Sequence, residues 1–83
     1  MAGEFTMSDL RSILVNRIGL REDEIPDNEQ TTFEEVGLDS LAFLEIQLEM
    51  EQRYGFRVDD EDAQKIVTFA DAVRYTNRRM EEG

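Results

Sequence analysis

Residues 39–54 form an unbroken stretch without glycine or proline whose apolar side chains fall on two opposite sides of a helix. Setting Leu41 at zero and advancing about 100° per residue puts Leu44 and Leu48 at roughly 300° and 340°. Phe43, Ile46, Met50 and Tyr54 then fall at roughly 200°, 140°, 180° and 220°. This helix constrains the fold because both stripes call for burial. A chain of 83 residues hides only about 60–65% of the surface its unfolded form exposes, so it builds one thin core. That core covers one stripe. The bulkier stripe with Phe43 and Tyr54 is assigned to the core, and Leu41, Leu44 and Leu48 are left facing out. Glu45 and Glu51 flank the outward stripe at roughly 40° and 280°. Leucines rimmed by carboxylates read as a docking surface, with apolar contact for affinity and charge for steering. The competing reading is that the preceding loop folds over them. Ser40, at the first helical position, lies near roughly 260°, on the edge of the outward stripe.

The remaining pattern is helical throughout. A first helix is expected over 8–18, with Ser8 as N-cap and Asp9 in the first turn. Leu10, Ile13, Leu14 and Ile18 make its apolar stripe, and Gly19 ends it. Residues 20–38 are a long connection broken by Pro26, Asp27 and Asn28. Leu20, Ile25, Phe33 and Val36 are spaced through it as anchors to a core, with a helical turn expected at 33–36. Asp39 caps the central helix and Gly55 closes it. A short helix is expected over 60–64 after Asp59. A last helix follows over 68–79, with Thr68 and Asp71 as a capping box and Phe69, Val73 and Thr76 inward. Arg74, Arg78 and Arg79 suit its C-terminal dipole end. No strand is persuasive. The expected fold is an all-α four-helix bundle: three main helices, one short helix and a long first loop. Residues 1–6 lack periodicity and read as an expression scar or disordered tail, 7–80 as the domain, and 81–83 as a C-terminal tail.

Two absences narrow the chemistry. The chain has no Cys and no His. Thiolate chemistry, a Ser-His-Asp triad and the usual zinc ligands are therefore out of reach, and an enzyme is not expected. A net charge of −11 repels phosphates, so no nucleic-acid partner is expected, and partners with basic surfaces are. No apolar run approaches a membrane span and no signal peptide opens the chain, so a cytoplasmic location without membrane association is expected. The acidic run 59–62 lacks the spacing of a calcium loop and reads as helix-start acidity; no metal is expected. Ser40 has no base beside it for nucleophilic work, and Lys65 is the one lysine. A serine here is a bland first-turn residue or a modified one. A phosphate-linked group at this point would meet the positive end of a helix.

Gly37-Leu38-Asp39-Ser40-Leu41 resembles the (G)-x-D-S-L signature of acyl carrier proteins. The resemblance extends over about residues 7–80: the amphipathic first helix, the long loop with a Phe, the D-S-L helix, the short acidic helix, and the last helix after Ile66-Val67-Thr68. It implies that Ser40 carries 4′-phosphopantetheine, derived from coenzyme A, through a phosphodiester. It implies that Asp39 and Leu41 border the attachment site and that Asp39 contacts the phosphopantetheinyl transferase. Leu41, Leu44, Leu48, Glu45 and Glu51 would then be the partner surface, for a ketosynthase, an acyltransferase and tailoring enzymes with basic docking surfaces. Phe43, Ile46, Ile66 and Val73 are candidates to line a slot for an acyl chain, or are simply core. Such a carrier is non-catalytic and expected to be monomeric. Ser40-Leu41-Ala42 with Arg53-Tyr54-Gly55-Phe56 resembles the discrete carriers of type II polyketide synthases, hence antibiotic biosynthesis. Fatty acid carriers more often have an acidic residue where Ala42 stands. A proline common near Val58 and Asp59 is absent. A fatty acid carrier, an aminoacyl or peptidyl carrier, and an acidic helical adaptor without a prosthetic group are the alternatives. The charge of −11 argues against the aminoacyl or peptidyl one.

Overall fold

The computed structural model describes residues 4–82. Helix α1 (Met7–Ile13) continues into a π turn, Leu14–Ile18, that ends at Gly19. The long connection holds two 3₁₀ turns, Glu22–Glu24 and Glu34–Val36. Helices α2 (Ser40–Tyr54), α3 (Asp60–Ala63) and α4 (Phe69–Glu82) follow. The described residues contain no strand, only an isolated antiparallel bridge between Thr32 and Thr68. The all-α fold with three main helices and one short one is the observed one.

The core is built where the helical spacing places it. Leu10 and Ile13 of α1, Leu14 of the π turn, Ile46 and Met50 of α2, and Phe69, Ala72 and Tyr75 of α4 are buried together. Ile25 and Phe33 enter the same cluster from the long connection. Phe33 stands edge-on to Phe43 and Phe69, with ring centres 5.3 and 5.2 Å apart, in the arrangement aromatic quadrupoles favour. The connection is thus held down along its length. Its last turn is also tied to the start of α4, where Phe33 donates its N–H to Val67 O and Phe69 donates to Thr31 O.

The N-terminal expectation needs correction. Residues 1–3 lie outside the described residues, but Phe5 is 1% exposed and edge-on to Tyr54. Its N–H donates to Asn77 Oδ1 at 2.6 Å, and Asn77 Nδ2 donates to its carbonyl at 2.8 Å. Thr6, not Ser8, is the N-cap: its hydroxyl accepts from Asp9 N–H, and Asp9 accepts from Thr6 N–H. Whatever their origin, these two residues belong to the packed domain. The C-terminal end is also longer than expected. Helix α4 runs on through Glu81 and Glu82, and Glu82 pairs with Arg79; Gly83 lies outside the described residues.

Helix α4 starts as its sequence dictates. Asp71 Oδ2 accepts the N–H groups of Thr68 and Val67, and Thr68 Oγ1 accepts Asp71 N–H. Those backbone donors hold the Asp71 carboxyl below the usual carboxylate range. A depressed folded value means the carboxylate's contribution is complete above the unfolded pKa of about 3.9 and is lost as pH falls through the folded one. Asp71→Asn should cost about 0.5–2 kcal/mol at neutral pH. The gap from wild type should narrow in urea melts as pH falls below the unfolded value of about 3.9, because wild type then loses the same charge. Asp59, at the N-cap of α3, makes no side-chain cap bond. That helix is held instead by Tyr75, whose hydroxyl donates to Asp62 Oδ2 at 3.0 Å and accepts from Arg79.

Candidate functional site

The site is the start of α2 and the face that runs down from it. The 3₁₀ turn Glu34–Val36 closes on Gly37, whose φ is 84°. A Cβ there would meet no atom within 4 Å. The left-handed backbone, and not crowding, is what calls for glycine. Leu38 donates back to Phe33 O at 3.1 Å, which anchors the turn. Asp39 is the N-cap: its Oδ1 accepts Ala42 N–H at 2.9 Å, and its carbonyl accepts Phe43 N–H. Asp39 therefore has one carboxylate oxygen committed to the helix end.

Ser40 follows at the first helical position and is exposed. Among the described residues its hydroxyl enters no hydrogen bond, and neither do the N–H groups of Ser40 and Leu41. First-turn amides have no intrahelical partner, and they point where an anionic group on Ser40 would sit. A hydroxyl that is exposed, unengaged and placed at a helix start fits a covalent phosphodiester.

Below Ser40 the outward stripe is as expected. Leu41, Leu44 and Leu48 are 66%, 46% and 41% exposed, while Ile46 and Met50 on the other side are 1% and 3% exposed. Phe43 and Tyr54 are half-buried against the core. The long connection does not cover the leucines. The two flanking carboxylates behave differently from each other. Glu45 is half-exposed and faces Arg17 at 3.8 Å. Glu51 is turned inward: its Oε2 accepts Val58 N–H at 2.7 Å. It closes the turn after α2 and is not free on the rim, contrary to the expectation. Glu49, not singled out from the sequence, takes a place beside Glu45, between Arg17 and Arg53. Val67, 51% exposed, is a further apolar residue that pattern reasoning passed over.

Between α2, α4 and the segments flanking α3 lies an apolar cavity of only about 10 Å³, lined by Phe43, Ile46, Gln47, Met50, Val58, Ile66 and Ala72. Three of the four expected slot residues meet there. Val73 does not.

Relatives bear on what this arrangement is for. The family described as the phosphopantetheine attachment site matches residues 8–76. The chain belongs to the acyl carrier protein family. A curated acyl carrier protein of Nitratidesulfovibrio vulgaris is 33% identical over 71 residues, covering 86% of this chain and 92% of that one. The crystal structure of an acyl carrier protein from Thermotoga maritima superposes with a TM-score of 0.81 at 25% identity, covering 92% of this chain and 87% of the other. The solution structure of the 3,7-dioxo-octyl actinorhodin acyl carrier protein from Streptomyces coelicolor superposes with a TM-score of 0.75 at 28% identity, covering 99% and 98%. The carrier is non-catalytic and its prosthetic group is 4′-phosphopantetheine. It works with a phosphopantetheinyl transferase and with synthase enzymes. No helix among the described residues is long and apolar enough to cross a membrane.

Proposed function

We propose that this carrier holds polyketide intermediates on an arm attached to Ser40 and presents them through the outward face of α2 to enzymes with basic docking surfaces. The observation that carries the attachment is the Ser40 hydroxyl: exposed, unengaged, and next to the capping Asp39 at the start of a 15-residue helix. When bound, the arm supplies a thiol that holds acyl groups as thioesters. The chain's own part is to fix the attachment point, keep it open, and offer a surface beside it. Asp39 holds the helix end, and Leu41, Leu44 and Leu48 with Glu45 supply the contact face.

The polyketide reading is supported by Ser40-Leu41-Ala42 and Arg53-Tyr54-Gly55-Phe56, and by a likeness to the actinorhodin carrier that spans nearly the whole of both chains. A cavity of about 10 Å³ is too small for a long saturated chain, so an oxygenated cargo staying at the surface suits this domain. Treatment of the apo chain with coenzyme A and a promiscuous phosphopantetheinyl transferase should add the mass of one arm, mapped to the peptide holding Ser40. Mass spectrometry of the loaded carrier from its producing cell then identifies the cargo. A β-keto chain is expected. A saturated acyl chain would overturn the polyketide reading in favour of fatty acid synthesis, and an amino acid would overturn both.

A further inference from the structure

The first helix does not reach Gly19 in regular α form. Its last turn, Leu14–Ile18, is a π turn closed by Gly19 N–H on Leu14 O. Such turns are rare and concentrate at functional positions. An i→i+5 turn takes one residue more than an α turn, so residues after Leu14 lag behind the regular winding. Ile18 stays packed against the core, while Arg17 is left beside α2, the helix on which this turn packs. Its guanidinium faces two carboxylates one turn apart. Nε lies 3.8 Å from Glu45 Oε1, and Nη1 lies 3.7 Å from Glu49 Oε1. Glu49 is also gripped by Arg53 at 2.6 Å and is well covered. Glu45 has Arg17 alone among the described residues, at a separation well beyond the roughly 2.7–2.9 Å of a charge-assisted hydrogen bond. The pair is loose and half-exposed on both sides. Glu45 sits directly between Leu44 and Ile46 in the chain, at the rim of the exposed leucines.

We propose that Arg17 is an internal counter-ion of the docking face, holding Glu45 in the free carrier and releasing it to a cationic side chain of an arriving enzyme. This rests on the docking role given to α2 above. A partner with Lys or Arg around an apolar hollow is the occupant that suits the face, because the leucines need apolar cover and Glu45 needs a cation. Arg17 weakens the attraction of that partner. A carrier that visits several enzymes in turn gains from docking that is weak and quickly reversed. Opening the pair costs little, since a half-exposed, solvent-screened ion pair contributes only modestly.

The test is the loading rate, as kcat/KM, of the apo chain with coenzyme A and a promiscuous, basic-surfaced phosphopantetheinyl transferase at low ionic strength. Arg17→Gln should raise it about two- to fivefold. The control is Arg21→Gln, which removes the same charge but frees Asp23 in the long connection. It should raise the rate less. Glu45→Gln alone should slow loading, and the gain from Arg17→Gln should vanish in the double variant. Added salt should erase the difference. A thermal melt checks that each variant is folded. If Arg17→Gln is not, Glu45→Gln decides, and an unchanged rate in that variant overturns the proposal. Equal rates for Arg17→Gln and Arg21→Gln, with wild type loading normally, overturn the role of Arg17 alone. A wild-type chain that takes up no arm overturns the attachment reading itself, and the docking role falls with it.

Discussion

A Ser40→Ala chain should take up no phosphopantetheine at all. The sequence holds three serines, Ser8, Ser12 and Ser40. Ser8 and Ser12 lie within α1, and Ser12 Oγ already accepts a hydrogen bond from Asn16 at 3.1 Å. Ser40 alone combines an exposed hydroxyl, a preceding capping Asp and a helix start. The substitution should leave the fold intact, because the hydroxyl enters no hydrogen bond among the described residues and alanine is the best helix former. Melting should therefore agree with wild type to within about 0.5 kcal/mol, so a loss of loading cannot be blamed on unfolding. Intact-mass spectrometry after incubation with coenzyme A and transferase reads the result directly. A variant that still gains one arm would move the attachment point to another hydroxyl.

The parts of this molecule visible in its sequence are those that repeat. Helix α2 offers seven large apolar residues over four turns, so its two faces could be told apart and the correct one sent to the core. The caps at Asp39 and at Thr68 with Asp71 are local, each spanning four residues, and the structure uses both. What stayed hidden depends on single residues meeting partners far along the chain. Phe5 is one aromatic in an extended segment with no period to announce it. Its burial depends on Asn77, 72 residues away, and on Tyr54 at the end of α2. Once Phe5 is anchored, Thr6 becomes the cap and Ser8 moves inside the helix.

Glu51 misled for a related reason. Its angle on the helix places it at the rim, but the loop after Gly55 turns back and sets Val58 N–H within 2.7 Å. A covered amide needs an acceptor, and the Glu51 carboxylate supplies it. The path of an irregular loop is not written in any periodicity. The π turn is equally silent, since Leu14–Ile18 has the composition of ordinary α-helix. Its consequence, Arg17 standing beside Glu45 and Glu49, appears only when α1 and α2 are packed together.

Ile46→Ala and Leu44→Ala should have opposite effects, although the two residues are neighbours on one helix. Ile46 is 1% exposed and touches the core from the middle of α2, on the wall of the small cavity. Truncating it should destabilise the domain by roughly 2–5 kcal/mol, through lost burial and an enlarged cavity. For a domain whose total stability is about 5–15 kcal/mol, and whose size puts it low in that range, this is a large share. Leu44 is 46% exposed and faces away from that wall. Its truncation should change folding by no more than about 0.5 kcal/mol. It should cost about 1–2 kcal/mol of docking to a partner enzyme if the leucine face is buried on association. Urea melts and a binding titration with one partner, run on both variants, separate the two roles. Ile46→Ala should bind normally in the fraction that remains folded. A Leu44→Ala chain that melts early while Ile46→Ala does not would mean that the helix is turned by half a revolution from the arrangement described. A Leu44→Ala chain that both folds and docks like wild type would move the contact face off the leucine stripe, toward Val67 and the start of α4.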